Sequence, residues 1–509
     1  MRRQPPCCHQ TFPLFSCLFS LVSAVMQFTV IQRIMGLLVM LFSITMLPPL
    51  LLAWLQHDRT MDAFLWSYGI TLVSGLIMWL PVRAVKKELR LRDGFVIVSL
   101  FWTLLALFGA LPFMFAHDTA SFTDAYFETM SGLTTTGSTV LVGLDQLPMS
   151  INLWRGILQF LGGMGIVVLA VAILPMLGVG GMQLYKAETP GPMKDSKLTP
   201  RIKETAKALW YIYVGLVVLC AAALWLAGMT PFDAIFHSFT AVATGGFSTH
   251  DASIVYFNSA TIEMILVLFM LLGGINFALH FLALRGRDVR VYWQDSEFRV
   301  FVYILAVASV AIAAYLTWSH TYPDFWQSLR YSVFQVVTMA TTTGYISADF
   351  GAWPPVLGAL LIIISFCSGS AGSTSGGIKV VRIVLLFKQT LCEIRRLMHP
   401  SALVPLKLSG KVVPERTMAA VSAFFATYLA SFTLIGLAIS AQGVDLITAF
   451  SATAAAINNS GPGLGAVGPS TNFAALPEAA KWMLSFAMLL GRLELFTLFV
   501  VLTPAFWRK

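Results

Sequence analysis

Apolar runs recur along the chain at lengths that match membrane crossings. About 20 helical residues, rising 1.5 Å each, cross a hydrocarbon core about 30 Å thick. Short polar loops separate the runs, and no long segment alternates apolar and polar residues as the strands of an outer-membrane barrel do. The pattern predicts about ten transmembrane helices, at approximately 34–54, 64–82, 95–115, 153–177, 208–228, 260–283, 298–318, 356–390, 415–440 and 481–503.

The composition narrows the class of protein further. Of the 509 residues, 57% are hydrophobic and only 11% are charged, whereas about a quarter are charged in ordinary globular domains. This excludes a soluble enzyme and predicts a polytopic membrane protein. The six cysteines show neither a metal-ligand spacing nor a disulfide framework.

The basic residues predict the orientation. Most of them lie in four loops, at 83–92, 186–207, 285–299 and 379–416, which hold five, six, four and eight Lys or Arg residues. Because cytoplasmic loops carry the excess of Lys and Arg, these loops are predicted to be cytoplasmic, and so are both termini. The net charge of +9 therefore indicates topology, and no nucleic-acid partner is expected.

The first 25 residues allow two interpretations. Two arginines followed by a short apolar run resemble a secretory signal peptide. Met26 alternatively opens a plausible entry to the first span, with Gln27, Gln32 and Arg33 as its polar residues. We favour the second interpretation, in which residues 1–25 are an extension that is not translated.

A repeated unit appears four times in the predicted outward loops. Each unit has an apolar stretch too short to span, a turn rich in Thr, Ser and Gly, and a full span. The turns are turn 1 (134–139), turn 2 (243–249), turn 3 (341–347) and turn 4 (458–463). We predict an all-α fold with two additional N-terminal spans (26–93) before four pore repeats, at 94–185, 186–290, 291–400 and 401–509.

The short stretches before the turns read as half-length helices. They are Phe122–Leu133, Pro231–Val242, Phe325–Ala340 and Val444–Ile457. Proline or aspartate lies near their starts, and Asp124 and Asp233 are predicted as N-terminal caps. A dozen residues reach only about 18 Å, so each segment must enter and return on one side. Irregular backbone at membrane depth needs surrounding protein or a water-filled cavity, which predicts a shared axial pore.

The chemistry of these turns predicts a cation filter. Each half-helix directs a C-terminal end with about −0.5 charge into the membrane. Glycine permits positive φ, so carbonyl oxygens can point at one axis and replace the water shell of an ion.

The four turns, with GSTSGGIK (372–379) and GRLELFTLFVVLTPAFW (491–507), resemble the Trk/Ktr/HKT superfamily. The similarity covers 26–509 and is closest to the TrkH-type membrane subunits of bacterial potassium uptake systems. It implies K+ on the backbone carbonyls of Thr135, Thr136, Gly137, Thr244, Gly245, Gly246, Thr342, Thr343, Gly344, Asn459, Ser460 and Gly461. A serine in the first turn accompanies sodium preference in the HKT branch, so Gly137 implies potassium. Turn 4 departs most from a potassium-channel filter and implies weaker K+/Na+ discrimination than in a dedicated channel.

The third repeat has a glycine-rich break at 367–377. Glycine costs about 1 kcal/mol in a helix interior, so the break predicts an unwound segment. The resemblance makes it an intramembrane gating loop, with Gly369, Gly372, Gly376, Gly377 and, at its end, Lys379. Glycines in the other helices that follow the turns, Gly162, Gly163, Gly273, Gly274 and Gly491, are predicted just below the filter.

Three further charged residues fall in predicted spans or loops. A cation at the depth of Arg492 costs about 2.5 to 3.5 kcal/mol. Arg492 either pairs with Glu494 or another acid in a structural bridge or, as we favour, faces the pore beside the glycine-rich loop and opposes cations. Glu128 and Glu263 are expected either to line the outer vestibule or to lie on the surface.

The resemblance implies channel-like potassium uptake across the bacterial inner membrane. It further implies a homodimer gated by a TrkA-type cytosolic nucleotide-binding ring. The chain contains no phosphate-binding GxxxxGK[ST] loop, so ATP or NAD is expected only through the partner, with no covalently bound cofactor. A secondary K+ symporter coupled to H+ or Na+ is the alternative. No Ser/His pair, carboxylate pair or metal cluster is seen at membrane depth, so an enzyme is not predicted.

Overall fold

The computed structural model describes residues 26–85, 90–116, 121–168, 202–401, 404–408 and 411–508. The N-terminal extension and most of the basic loop at 186–207 lie outside the described residues. Its helices are α1 (Phe28–Ile44), α2 (Leu47–Gln56), α3 (Met61–Trp79), α4 (Leu91–Gly109), α5 (Leu111–Ala116), α6 (Phe122–Leu133), α7 (Met149–Val168), α8 (Ile202–Leu226), α9 (Pro231–Val242), α10 (Ala260–Gly274), α11 (Phe277–Gly286), α12 (Arg290–Gln294), α13 (Ser296–Trp318), α14 (Phe325–Ala340), α15 (Pro355–Phe366), α16 (Val380–Met398), α17 (Glu415–Ser440), α18 (Leu446–Asn458), α19 (Glu478–Arg492) and α20 (Phe496–Leu502).

Two short strand pairs accompany the helices. β1 (Cys367–Ser368) pairs parallel with β2 (Ile378–Lys379), and β3 (Lys407–Leu408) pairs antiparallel with β4 (Lys411–Val412). The first pair closes the base of the break in the third repeat.

The lengths and composition of the helices are those of a multi-pass membrane protein. Six helical segments among the described residues are long and apolar enough to span: α1 with α2, α3, α4 with α5, α8, α13 and α17. Two bent pairs raise the number to eight, with α10 and α11 at 97° and α19 and α20 at 115°. The other two of the ten predicted crossings correspond to α7 and to α15 with α16, which do not meet this criterion.

The predicted half-helices are present as α6, α9, α14 and α18. The first three have the predicted bounds, and α18 starts two residues later and ends one residue later than predicted. Asp124 and Asp233 were wrongly assigned as caps, because the cap positions belong to Ser121 and Thr230. These hydroxyls accept from the backbone N–H groups of Asp124 and Asp233 and donate to their carboxylates. Each aspartate therefore lies inside the first turn and is bound by the capping hydroxyl that precedes it.

Burial places the half-helices at the centre of the fold. Most residues of α6, α9 and α18 are buried. Large apolar side chains on peripheral helices are exposed, including Trp66, Ile77, Val307 and Leu434. A water-soluble protein rarely leaves such surface uncovered, whereas lipid covers it in a membrane. The four turns that follow the half-helices are thus held inside the protein.

Candidate functional site

All four turns have the same backbone conformation. In turn 1, Thr135 and Gly137 have φ of 52° and 86°. The equivalent pairs have 52° and 76° in Thr244 and Gly246, 56° and 86° in Thr342 and Gly344, and 55° and 88° in Asn459 and Gly461. A non-glycine residue in this region costs about 1 to 2 kcal/mol. Its occurrence at the same position four times shows that the surrounding fold imposes the conformation.

The residue between these two positions has its amide tied back to the half-helix. Its N–H donates to the carbonyl five residues earlier over 2.8 to 2.9 Å: Thr136 to Ser131, Gly245 to Thr240, Thr343 to Thr338 and Ser460 to Ala455. The bonds resemble those that end helices in a left-handed residue. They satisfy the half-helix carbonyls with N–H groups of the turns.

The turns close a ring in the order 1, 2, 3, 4. A methyl group on the glycine of each turn would approach the middle carbonyl oxygen of the next: Gly137 to Gly245 at 2.2 Å, Gly246 to Thr343 at 1.8 Å, Gly344 to Ser460 at 2.4 Å and Gly461 to Thr136 at 3.2 Å. The first three glycines therefore have no room for a side chain. The twelve residues predicted from the sequence thus meet in one backbone-lined ring.

An open pocket lies against this ring. Its walls include the glycines of all four turns, Gly137, Gly246, Gly344 and Gly461. Arg155, His250 and Asp251 also line it. The ring is therefore accessible from one side.

A buried ion pair supports turns 1 and 2. Arg155 Nε lies 2.9 Å from Glu128 Oε1, and both side chains are fully buried. Arg155 Nη1 donates to the Ser248 carbonyl at 2.8 Å, and its guanidinium lies 4.3 Å from the centre of the Phe247 ring. Both expectations for Glu128 were wrong, because it neither lines a vestibule nor lies on the surface. Its partner satisfies the charge that burial would otherwise penalise.

Two more ion pairs join neighbouring repeats. Glu263 of α10 accepts two hydrogen bonds from Arg330 of α14, at 2.7 and 2.8 Å. Lys481 of α19 lies 2.6 Å from Asp124 of α6. Glu263 is 2% exposed, so the expectation of a vestibule or surface position was wrong for it as well. These pairs connect repeat 2 to repeat 3 and repeat 4 to repeat 1.

The glycines predicted below the turns bring the following helices against the half-helix ends. A methyl group on Gly162 would lie 2.0 Å from the Leu133 carbonyl oxygen, and one on Gly491 would lie 2.0 Å from that of Ile457. Only glycine allows this approach of backbone to backbone. The glycines thus fix the packing directly behind turns 1 and 4.

The predicted break in the third repeat is confirmed as a non-helical segment, which we call the inserted loop (367–377). The Ser370 N–H donates to the Gly274 carbonyl of repeat 2 at 2.9 Å, and the Ala371 N–H donates to Glu297 Oε1 of α13 at 2.9 Å. The Gly376 N–H donates to Thr342 Oγ1 of turn 3 at 2.8 Å. The loop therefore lies beneath the ring and contacts it directly.

Of the predicted gate residues, Gly369, Gly372, Gly376 and Gly377 lie in the loop, and two cations are buried beside it. Arg492 is 3% exposed and donates to the carbonyls of Thr374 and Gly162, at 3.1 Å each. Lys379, also buried, donates to the Ser375 carbonyl.

The alternative for Arg492, a pairing with Glu494, is not formed. Glu494 instead lies 2.6 Å from Arg382 of α16. The break between α19 and α20, where Glu494 and Leu495 have φ of 52° and 53°, turns Glu494 away from Arg492. Arg492 therefore bridges the loop and α7 through backbone carbonyls.

The geometry agrees with the comparison to protein-family models. The model for TrkH, described as a cation transport protein, matches residues 61–509. The chain belongs to the TrkH family of cation transport proteins. This family consists of membrane transporters, so the chain is not an enzyme.

Individual relatives extend the match to nearly the whole chain. The Trk system potassium uptake protein TrkH of Escherichia coli K12 is 52% identical over 95% of this chain and 100% of the relative. The protein of the same name from Salmonella typhimurium LT2 is 53% identical with the same coverage. The crystal structure of the potassium transporter TrkH from Vibrio parahaemolyticus superposes with a TM-score of 0.88 at 48% identity, covering 95% of this chain and 100% of that one.

The sequence analysis missed two residues of α7. Arg155 and Gln159 lie one helical turn apart and face the turns, where Gln159 Nε2 donates to the Gly245 carbonyl at 2.7 Å. Both are polar residues inside an otherwise apolar predicted span. That signal marks a functional position by default in a membrane helix.

Proposed function

We propose that the chain is the K+-conducting subunit of a bacterial potassium uptake system. The closed ring of four turns is the observation that carries this proposal. Backbone carbonyls of the twelve ring residues replace the water shell of K+, and the half-helix C-terminal ends add partial negative charge. The relatives named as Trk system potassium uptake proteins support potassium as the ion.

The inserted loop is the proposed gate. It lies beneath the ring with Arg492 donating to its Thr374 carbonyl and Lys379 donating to its Ser375 carbonyl. A buried cation near the path opposes the passage of another cation. Movement of the loop and Arg492 opens the path.

Regulation comes from outside this chain. We propose a homodimer in the bacterial inner membrane, with both termini cytoplasmic, that binds a TrkA-type ring carrying ATP or NAD. The name Trk system in the relatives supports partner subunits. The basic residues at 379–416, which directly follow the inserted loop in sequence, and those at 285–299 support a cytoplasmic docking face.

Broken helices also suit a secondary K+ symporter coupled to H+ or Na+. Discontinuous spans at α10–α11 and α19–α20 are the observation that favours this candidate. No turn of the ring contains an acidic side chain that could carry a proton, which favours passive conduction.

Flux in liposomes tests both candidates. Purified protein is reconstituted, and K+, Rb+ and Na+ flux is measured against membrane voltage. Passive conduction predicts that current reverses at the K+ Nernst potential. A symporter predicts a reversal potential that shifts with a pH or Na+ gradient, and a protein that carries no K+ under either condition contradicts both candidates.

A further inference from the structure

Turns 1 and 3 share a pair of threonine hydroxyls. Thr134 and Thr136 hydroxyls lie 2.8 Å apart in turn 1, and Thr341 and Thr343 hydroxyls lie 2.8 Å apart in turn 3. Each pair ties the residue before the ring glycine to the end of its half-helix. The hydrogen bond therefore restrains the residue whose carbonyl faces the ring.

Turn 2 lacks both hydroxyls. The equivalent positions are Ala243 and Gly245, so no side chain of the turn can make the bond. Gln159, fully buried on α7 of repeat 1, occupies this space. Its Nε2 donates to the Gly245 carbonyl at 2.7 Å, and its Oε1 accepts from the Phe247 N–H at 3.2 Å. The amide of Gln159 thus holds turn 2 on both sides of Gly246.

Gln159 and Gly245 are sterically matched. A methyl group on Gly245 would lie 2.4 Å from Gln159 Cδ, closer than two carbon atoms can approach. Gly245 does not have positive φ, so its backbone conformation does not require glycine. Space for the glutamine accounts for this glycine instead.

The glutamine occurs in one repeat alone. It lies three residues before Gly162, and the residues three before the corresponding glycines Gly273, Gly369 and Gly491 are Met270, Phe366 and Met488. An amide thus stands behind turn 2, while apolar side chains occupy the matching positions in the other repeats. Turn 4, with Asn458 and Ser460 at these positions, also lacks the threonine pair, but it is tied by its own Asn459, whose Nδ2 donates to Thr136 Oγ1 at 2.9 Å and to the Met488 carbonyl at 3.0 Å. In turn 2 the amide of Gln159 takes the place of the missing pair.

We infer that Gln159 is a positioning residue that sets ion specificity by fixing the Gly245 carbonyl in the ring. The inference rests on the proposed potassium pathway. The Gly245 carbonyl faces Gly137 of the neighbouring turn, so its displacement alters the ring between repeats 1 and 2. A loosely held carbonyl can contract around Na+, and discrimination between the two ions then falls.

The test compares K+/Na+ flux ratios in liposomes for the unaltered chain, Gln159→Met and a rebuilt turn. Methionine has similar volume, occurs at the matching positions of repeats 2 and 4, and cannot donate. The rebuilt turn combines Gln159→Met with Ala243→Thr and Gly245→Thr, which restores the hydroxyl pair of turns 1 and 3. Gln56→Met, on the exposed side of α2, is the matched control.

Gln159→Met is expected to lower the K+/Na+ flux ratio about fivefold, which corresponds to the free energy of about one hydrogen bond. The rebuilt turn is expected to restore most of the original ratio. Gln56→Met should keep the original ratio. An unchanged ratio in Gln159→Met overturns the role of Gln159 while leaving the potassium pathway intact. An unaltered chain that carries no K+ contradicts the proposed function itself.

A variant that fails to fold is recognised by size-exclusion chromatography and thermal melting in detergent. If Gln159→Met does not fold, the K+/Na+ ratio of the rebuilt variant provides the test. If the rebuilt variant folds and keeps the original K+/Na+ ratio, the threonine hydroxyl pair can replace the Gln159 amide as the restraint on turn 2. A folded rebuilt turn with a ratio lowered about fivefold contradicts it.

Discussion

The ring of turns and the inserted loop lie next to each other but are built in opposite ways. The ring repeats one backbone conformation four times, with positive φ at matching positions. The loop occurs in one repeat and contacts α10, α13, turn 3 and Arg492 of α19. Repetition creates a closed surface of carbonyls around one axis. The single insertion creates an asymmetric element that contacts turn 2 through Thr374, turn 3 through Gly376 and turn 4 through the close approach of Gly376 to Asn458.

The two regions share one feature, which is close packing of glycines against backbone carbonyls. The glycines of turns 1 to 3 are packed so closely that a methyl group would come within 2.4 Å of a carbonyl oxygen. Two loop glycines are packed as closely, because a methyl group on Gly376 would lie 2.2 Å from the Asn458 carbonyl oxygen and one on Gly369 would lie 2.5 Å from that of Gly274. In the proposed pathway the ring supplies the carbonyls that contact the ion and the loop forms the gate. We therefore expect substitutions in the ring to change which ion passes and substitutions at the loop to change how fast ions pass.

The largest effect should follow Arg492→Ala. It removes the buried cation that bridges the Thr374 and Gly162 carbonyls. Two unit charges about 6 Å apart at an effective dielectric of about 20 repel each other by about 2.8 kcal/mol. K+ flux in liposomes should rise about a hundredfold, with the K+/Na+ ratio unchanged.

Arg492→Lys is the control for this prediction, since it keeps the charge and should keep flux within about threefold. Equal flux from Arg492→Ala and the unaltered chain, with both proteins folded, would show that Arg492 has a structural role only. A changed ion ratio would break the proposed separation between ring and loop.

A smaller effect, on selectivity, is expected for Gly137→Ser. A side chain at Gly137 meets the Gly245 carbonyl oxygen at 2.2 Å and must adopt φ of +86°. The carbonyl has to move, so the K+/Na+ flux ratio should fall about tenfold. This is the lower end of the discrimination that one methylene group provides in a binding site. Competing K+ and Na+ fluxes in the same liposomes give this ratio.

Gly143→Ser is a matched control. Gly143 also has positive φ, at 72°, but a methyl group there meets no atom within 4 Å. It shares the backbone strain without the contact, so its K+/Na+ ratio should stay unchanged. An equal loss of selectivity in both variants would mean that strain, and not the ring contact, determines the result.

The ring could be predicted from sequence and much of its support could not. Glycine and threonine recur at fixed positions after short apolar stretches, so length and turn chemistry alone predict the half-helices, the turns and the break. The contacts behind the turns join distant segments, as Gln159 joins Gly245 and Arg382 joins Glu494. Nothing in local periodicity selects Arg382 over Arg492 as the partner of Glu494. That choice depends on the bend between α19 and α20.

A histidine next to turn 2, His250, forms a pH-dependent contact outside both the ring and the inserted loop. His250 Nδ1 lies 2.5 Å from Asp145 Oδ1, and its Nε2 lies 3.7 Å from Asp233 Oδ1. Burial disfavours the charged imidazole, but attraction to the two carboxylates outweighs it and raises the pKa of His250 above its ordinary value. Nearby His237 and Asp251 also face this cluster, and the His250 ring stacks on Tyr256.

The raised pKa of His250 gives the smallest predicted effect, which is on the stability of the fold. A charge favoured in the folded state stabilises the protein fully below the unfolded pKa of about 6.5, and the stabilisation is lost as pH rises through the higher folded pKa. Because Asp145 is 43% exposed, solvent limits the contribution to about 0.5 kcal/mol. His250→Gln should therefore lower the melting temperature in detergent by about 1 °C at pH 6, and by less at pH 8.5. The exposed His399→Gln should show no such pH dependence, and an equal loss at both pH values would mean that His250 contributes by packing on Tyr256 and not by charge.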